Sequence, residues 1–492
     1  MLPDVSQIKT FFQNQTVFLT GGSGFLGKVL IEKLLRECEE IEKIYVLMRT
    51  KKNKTPEERF EELFNYACFD LLKSTNANSL KKVCLINGDC QQPLLGLSDQ
   101  DVDILLKETT CVIHAAANVK FDQSLKEATY NVRATRDLLE LAKRMKKLKV
   151  FVFVSTAYSN CVNDHIKEDF YEPPMKTENL FSVVNALDDQ TLVDVTPQLL
   201  KNWPNTYIFG KSISEDVVNA ASEVVPVTIV RPAIVTSTLS EPMPGWIDNF
   251  YGVIGIVAGA ALGVIRTLNA KHDALAPLVP VDYVSNCVLA AAWKRGTSDG
   301  TTTIYNYVGD TRTCQTWQKF MQIVIPNCWS AASEKLLWYY CFDIRENKTW
   351  NNICVFFMHT VPAYVVDFIL ICFGKPTIAV KSYRRLNKML DLISYFSTRS
   401  WVFDNDNVMG LWNHMNEEDK RSFFFSMEKV DWNEYAHASC MGARLHLLKD
   451  TPDTIPKGER KIKIMFVLHY TVIALLWYLL YKFVALILGF FF

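Results

Sequence analysis

Neither sign of charge is in excess: 53 Lys plus Arg face 53 Asp plus Glu along 492 residues. A nucleic-acid binder normally carries a basic surplus, so that class is set aside. The 13 cysteines include no Cys-x-x-Cys pair and no tight Cys/His cluster. They read as reduced cytosolic thiols, which excludes a disulfide framework and leaves no metal site to propose. The first residues, MLPDVSQIKTFFQNQ, have no apolar core and include Asp4, which argues against a secretory leader. On that reading the sequons at Asn14, Asn53 and Asn347 stay unglycosylated. No internal repeat and no low-complexity tract is present.

What is there is long enough for two or three domains. Short β-rich runs alternate with helical spacing through the first part: Val17–Thr20, Ile44–Met48, Val83–Asn87, Cys111–His114, Val150–Val154 and Val227–Val230, with helical stretches such as Lys28–Glu37 and Asn131–Met145 between them. This alternation predicts an α/β fold, a doubly wound parallel sheet covered on both faces. From about Thr302 the pattern turns to aromatic-rich helical stretches. Within them Ile353–Gly374 is apolar apart from His359, Pro362 and Asp367, and reads as a second membrane span or as an amphipathic helix against the protein or the bilayer. The organisation expected is 1–300 for the dinucleotide-type domain, 301–460 for a mostly helical domain and 464–492 for a terminal helix.

After PKGERKIK the chain runs IMFVLHYTVIALLWYLLYKFVALILGFFF from Ile464, with His469 and Lys482 its ionisable side chains. About 20 apolar residues suffice to cross a bilayer. The basic flank suits the cytosolic side, and Lys482 is able to snorkel to an interface. A tail anchor follows as the expectation, with everything upstream in the cytosol.

The run Thr16–Thr20 leads directly into Gly21-Gly22-Ser23-Gly24-Phe25-Leu26-Gly27 and then the helical KVLIEKLLREC. Glycines between a strand and a helix let the backbone turn tightly and approach a pyrophosphate, which the helix N-terminus attracts. The second predicted strand ends at Arg49, followed by Thr50, Lys51 and Lys52, where an NAD enzyme usually carries an acid for the ribose 2′-hydroxyl. A base there suits the 2′-phosphate of NADPH. Further on, Tyr207-Ile208-Phe209-Gly210-Lys211 sets a phenol and an ammonium one helical turn apart. The nearby cation is expected to lower the phenol's pKa so that it exchanges a proton near neutrality. The predicted strand Val150–Val154 ends in Ser155-Thr156, hydroxyls placed where ligands meet such sheets.

These segments, with YVLMRTK, VIHAAANVKFD, NTYIFGKSISE, EPMPGWIDN, LVPVDYV, TRSWVFDNDN and VDWNEYAHASCMGAR, resemble the motifs of eukaryotic fatty acyl-CoA reductases, which are extended, atypical short-chain dehydrogenases. The resemblance covers nearly the whole chain. It implies a Rossmann-type domain, an alcohol-forming reductase, NADPH as cofactor and long-chain acyl-CoA as substrate, reduced in two hydride transfers through a bound aldehyde. By position it implies Tyr207 as general acid, Lys211 as its partner and ribose ligand, and Thr156 with Ser155 beside it as carbonyl-polarising hydroxyls. Thr20, Gly21, Gly22, Ser23, Gly24, Phe25, Leu26, Gly27, Arg49, Asp89 and Ala115 are implied around NADPH. It further implies an intracellular membrane, ER or peroxisome, and leaves the oligomeric state open, a homodimer included. One departure stands out: where related chains often read Gly-Lys-Gly, this one has Ala261-Leu262-Gly263, so Arg266 or another base is expected to meet the CoA phosphates. Rival readings are a membrane-bound sterol or nucleotide-sugar dehydrogenase, which usually lacks the segment Trp401–Asn407, and a non-catalytic cofactor-binding scaffold, which would have a broken Tyr/Lys pair.

Overall fold

The computed structural model describes residues 5–298, 300–309 and 314–491; Phe492, at the end of the expected anchor, lies outside the described residues. Its centre is a parallel sheet of seven strands: β1 Thr16–Thr20, β2 Lys43–Met48, β3 Val83–Asn87, β4 Cys111–His114, β5 Val150–Val154, β6 Val227–Pro232 and β7 Ile304–Tyr307, in the order β7-β6-β5-β4-β1-β2-β3. TVFLT in β1 and VFVFV in β5 are buried at every position, as strands covered on both faces must be. The chain winds outward from β1 in one direction and from β4 in the other. The switch point between these two strands opens a crevice at their carboxyl ends.

Four helices carry most of the cover: α1 Phe25–Glu37, α2 Leu125–Lys143, α3 Thr206–Ala221 and α4 Val281–Gly296, with α1 against α4 and α2 against α3. The start of α2 is fixed by a capping box between Ser124 and Glu127. Beneath α2 and α3, Leu138, Leu139 and Val218 pack on Val112, Phe151 and Ile229 of the sheet. Asp282, in the LVPVDYV motif at the start of α4, accepts hydrogen bonds from the Leu239, Ser240 and Glu241 N–H groups at 3.0, 2.9 and 3.1 Å. It thereby fixes the loop that carries the EPMPGW motif.

The chain forms two compact units, each assembled from separate stretches. The first contains Met1–Trp246, Ala274–Thr316 and Asp391–Val430. Its late stretch is tied in by Val402–Phe403, which pairs in parallel with His165–Ile166, and by the Trp401 indole, which donates to Cys161 O at 2.9 Å. The second contains Ile247–Asp273, Trp317–Leu390 and Asp431–Phe492. It is mainly helical: Trp317–Ser330 packs on Trp432–Gly442, and Asp343–Arg345 pairs with Thr267–Asn269. Ile455–Phe491 forms one long helix with an exposed apolar surface. The doubly wound α/β architecture, the helical later region and the long apolar terminal helix all match the expectation from sequence. Arg266, which with another base as the alternative was expected to serve CoA, donates to Gly263 O and Met358 O at 3.0 and 2.7 Å within the second unit.

Candidate active site

The glycine turn lies at the end of β1, on the switch crevice. Gly21 has φ +80°, and a Cβ there would lie 2.7 Å from Ala116 N. At Gly27 a Cβ would come within 2.2 Å of Gly21 O, so only glycine lets α1 sit this close to the turn. Gly22 is buried, and the Gly24 N–H closes the turn on Gly21 O at 2.8 Å. Gly24 is also the N-cap of α1 and supplies no side-chain cap, so it leaves the first-turn N–H groups without a side-chain oxygen. The Phe25 ring stacks on Trp246 with centroids 5.4 Å apart, and Leu26 is half-buried. The Thr20 hydroxyl meets His114 Nδ1 at 2.6 Å and accepts from the Ala116 N–H at 3.3 Å. Ala115, next along, donates its N–H to Thr20 O at 3.2 Å. Burial holds His114 neutral, its pKa pushed down to about 3. A cradle that a single methyl would fill, lined by backbone donors, fits a dinucleotide pyrophosphate.

Cations collect beside this turn. Arg49, directly after β2, donates to Gln91 Oε1 at 2.9 Å and lies 3.4 Å from Asp89 Oδ2. Arg59 projects from the helix Pro56–Leu63 and donates to Ser23 Oγ at 3.0 Å and to Arg49 O. Burial first, and then Arg49, lowers the Arg59 pKa; Lys51 is lowered by burial and then by Arg59, Arg49, Lys52 and Lys120. Such mutual repulsion marks a place that an anion would relieve. Nothing in the sequence announced Arg59: PEERFEEL reads as an ordinary solvated helix, and its acids hide the base.

Tyr207 and Lys211 lie one turn apart on α3, whose start is capped by the Asn205 side chain accepting from the Ile208 N–H at 2.9 Å. Both side chains are buried. Lys211 Nζ donates to Val154 O, the last carbonyl of β5, at 2.7 Å and stands 4.5 Å over the Phe153 ring. Burial pushes Lys211 down to about 8 and raises the Tyr207 phenol well above its ordinary value. The direction at Tyr207 is opposite to the depression that spacing alone suggests, because desolvation of the phenolate dominates in the closed interior. Immediately after Val154, the Ser155 hydroxyl donates to Glu215, which is locked in a buried pair with Arg231 at 2.7 Å. Thr156 Oγ1 accepts from the Tyr158 N–H at 3.3 Å and keeps its own proton to donate. The end of β5 that Lys211 meets thus carries two hydroxyls of different status, one committed to a carboxylate and one not.

Aromatic rings complete the surroundings. Phe121 stacks on Tyr207 with centroids 6.1 Å apart, and Phe396 contacts both Phe121 and Tyr158, at 5.4 and 5.1 Å. Trp401 closes on Tyr158 at 5.4 Å. The rings from the stretch after residue 390 are thus part of the unit that holds Tyr207.

Strand order, glycine cradle and a Tyr/Lys pair on α3, between β5 and β6, define a nicotinamide-dependent reductase of the extended short-chain dehydrogenase class. The fold is shared with solved structures: the terminal R domain of the myxalamid PKS-NRPS pathway superposes with a TM-score of 0.59 at 21% identity, covering 89% of this chain and 92% of that one. A reductase domain of a Mycobacterium tuberculosis nonribosomal peptide synthetase gives 0.59 at 15% identity, covering 90% and 95%. Two family models described as male sterility protein match, an NAD-binding one over residues 19–288 and a second over 358–450. The Drosophila melanogaster protein named fatty acyl-CoA reductase wat is 40% identical over 473 residues, 96% of this chain and 91% of the relative. Fatty acyl-CoA reductase 1 of Mus musculus is 37% identical over 457 residues, 92% and 89% of the two chains. The chain belongs to the fatty acyl-CoA reductase family.

Proposed function

We propose that this protein reduces long-chain fatty acyl-CoA to the primary alcohol with NADPH, in two hydride transfers through an enzyme-held aldehyde. The observation that carries the reading is the buried Tyr207–Lys211 pair on α3, with Lys211 bonded to the last carbonyl of β5 and an uncommitted Thr156 hydroxyl two residues further along that strand end. When bound, the dihydronicotinamide supplies the hydride. Gly21, Gly24 and Gly27 let the backbone around Thr20, Gly22, Ser23, Phe25 and Leu26 meet the pyrophosphate. Asp89 would border the adenosine, Ala115 would border the nicotinamide, and Lys211 would hold the neighbouring ribose. Arg49 and Arg59 together would grip the 2′-phosphate, which would favour NADPH over NADH.

In the first reduction Thr156 and Tyr207 donate to the thioester oxygen as negative charge develops on it. Hydride adds to the carbonyl carbon; the resulting hemithioacetal then breaks its C–S bond, releasing CoA as the thiol and leaving the aldehyde. In the second, hydride adds to the aldehyde carbon and Tyr207 delivers its proton to the alkoxide. Ser155 acts through Glu215, holding the strand end in place, and Thr156 meets the substrate. The substrate is already a thioester, so no cysteine nucleophile is needed.

The rings of Phe121, Phe396 and Trp401 give the acyl chain an apolar path towards Tyr207. At about 0.8 kcal/mol per buried methylene, a 16-carbon chain resists transfer into water by roughly 10 kcal/mol. A product of that kind leaves best into a bilayer, which the terminal helix supplies as a tail anchor on the cytosolic face of the ER or peroxisome. The test is incubation with NADPH and a chain-length series of acyl-CoAs, followed by lipid analysis. Long-chain primary alcohol, with two NADPH consumed per alcohol, is the expected result. Turnover of a sterol or a nucleotide sugar with no acyl-CoA consumption would overturn the proposal.

A further inference from the structure

The apolar segment before the returning basic stretch is built like the membrane face of a monotopic protein. Lys348–Val355, a single π turn at Phe356–Thr360, and Val361–Cys372 run as one helical rod. Its outward side is large and apolar: Phe357, Phe368, Ile371 and Phe373 are 64, 67, 60 and 76% exposed. Two polar residues within its apolar part, His359 and Asp367, turn the other way. His359 is fully buried, its Nε2 accepting from the Arg266 N–H at 3.0 Å and its Nδ1 meeting Asn387 Oδ1 at 2.9 Å. Asp367 accepts from the N–H groups of Ile378, Ala379 and Val380 at 3.0, 2.8 and 3.0 Å.

Those bonds reverse the chain right after the rod, at Gly374 with φ +66°. The helix that follows, starting at Ala379, runs back alongside it, with Tyr383 over His359 at 5.3 Å and Arg384 reaching the Tyr364 hydroxyl at 3.4 Å. This returning helix exposes Lys381, Arg384, Arg385 and Lys388, and no acid occurs between Lys375 and Lys388. A rod that crossed a bilayer would drag those charges, Arg384 with its bond to Tyr364 among them, into hydrocarbon. A rod lying in the interface puts rings among acyl chains and cations among phosphates. The rod is also tied to the terminal helix inside the same unit. Arg266 donates to Met358 O and stands 5.7 Å over the Trp338 ring, and the Trp338 indole donates to His469 at 3.0 Å.

We infer that Lys348–Cys372 is a second, in-plane membrane contact, bound to the anionic cytosol-facing leaflet without crossing it. The inference takes Ile455–Phe491 as the anchor, and carbonate extraction of the full chain reads that part separately. The experiment uses the full-length protein in sealed phosphatidylcholine/phosphatidylserine vesicles whose NADPH-binding side faces outward. A membrane-impermeant amine reagent is expected to label both Lys348 and Lys375 before any detergent is added. Labelling of one of them only after the vesicles are opened would mean a span and overturn the inference. A photoreactive benzoylphenylalanine at Phe368 is expected to form lipid adducts, several-fold fewer when phosphatidylserine is omitted. Adducts to a second copy of the chain in place of lipid would also overturn it. NADPH binding by the substituted protein checks that it has folded.

Discussion

Burial acts in opposite directions on the two residues at the heart of the proposed site. It keeps the Tyr207 proton on the phenol and brings Lys211 close to losing its own, at about 8. The proposed mechanism needs Tyr207 protonated, so the first of these pressures serves it. Tyr207→Phe is expected to abolish alcohol formation while NADPH binding stays near wild type; wild-type turnover in that variant would remove Tyr207 from the mechanism. The second pressure predicts a pH signature. Below about 8 Lys211 is an ammonium able to hold the ribose, and above it the charge is lost, so kcat/KM for NADPH should fall by up to about tenfold per pH unit. Stability should move the other way. An unfolded lysine keeps its proton to about 10.4, so between about 8 and that value the unfolded chain binds more protons, and this residue's contribution to folding stability rises with pH. Lys211→Arg should flatten both trends, measured by kinetics and by denaturant titration across the window. At the adenosine end, Arg49→Ala is expected to cost about 1.5–2 kcal/mol of NADPH affinity, on the order of 10- to 30-fold, because Arg59 remains. Removing both should cost more than either alone, and NADH should hardly change. Equal losses for both cofactors would show that the pair supports the fold and does not read the phosphate.

At the scale of elements, the turn between β1 and α1 is the least tolerant joint. Gly27→Ala would drive a methyl into Gly21 O, so the helix must shift away from the turn. NADPH binding, followed by fluorescence, should be lost while far-ultraviolet circular dichroism shows the sheet intact; retained binding would mean that the turn relaxes. This turn was legible because its glycines stand between an apolar run and a periodic one. So were six of the strands, which are apolar enough to stand out. β7, IYNY, was not foreseen, because Asn306 interrupts the apolar pattern. The fold accommodates that polar residue by directing its amide to Ile166 O and Asp404 O at 3.1 and 2.9 Å. Tyr207 and Lys211 were visible from their spacing, but the direction of the phenol's shift was not, since periodicity carries no information about desolvation. Arg59 and Phe396 reach the site through tertiary folding alone, and no local pattern could announce them.

At the scale of the whole molecule, membrane attachment is expected to be graded. The terminal helix starts inside the second unit, where Lys461 donates to Glu334 O at 2.7 Å and His469 receives the Trp338 indole. Deleting the chain after Tyr470 should therefore spare these contacts and release the protein from carbonate-washed membranes. Association should persist at low salt through the exposed rod and its basic neighbour, and disappear at high salt. Release of the truncated protein at low salt would argue that the terminal helix acts alone.

The interleaving of the two units sets an order of events during synthesis. Phe396 and Trp401 leave the ribosome long after Tyr207, and after most of the second unit has been made. Until they arrive, the nascent chain carries a finished cofactor cradle but an open apolar flank, a natural target for chaperones. A fragment stopped near residue 300 keeps that flank open for good.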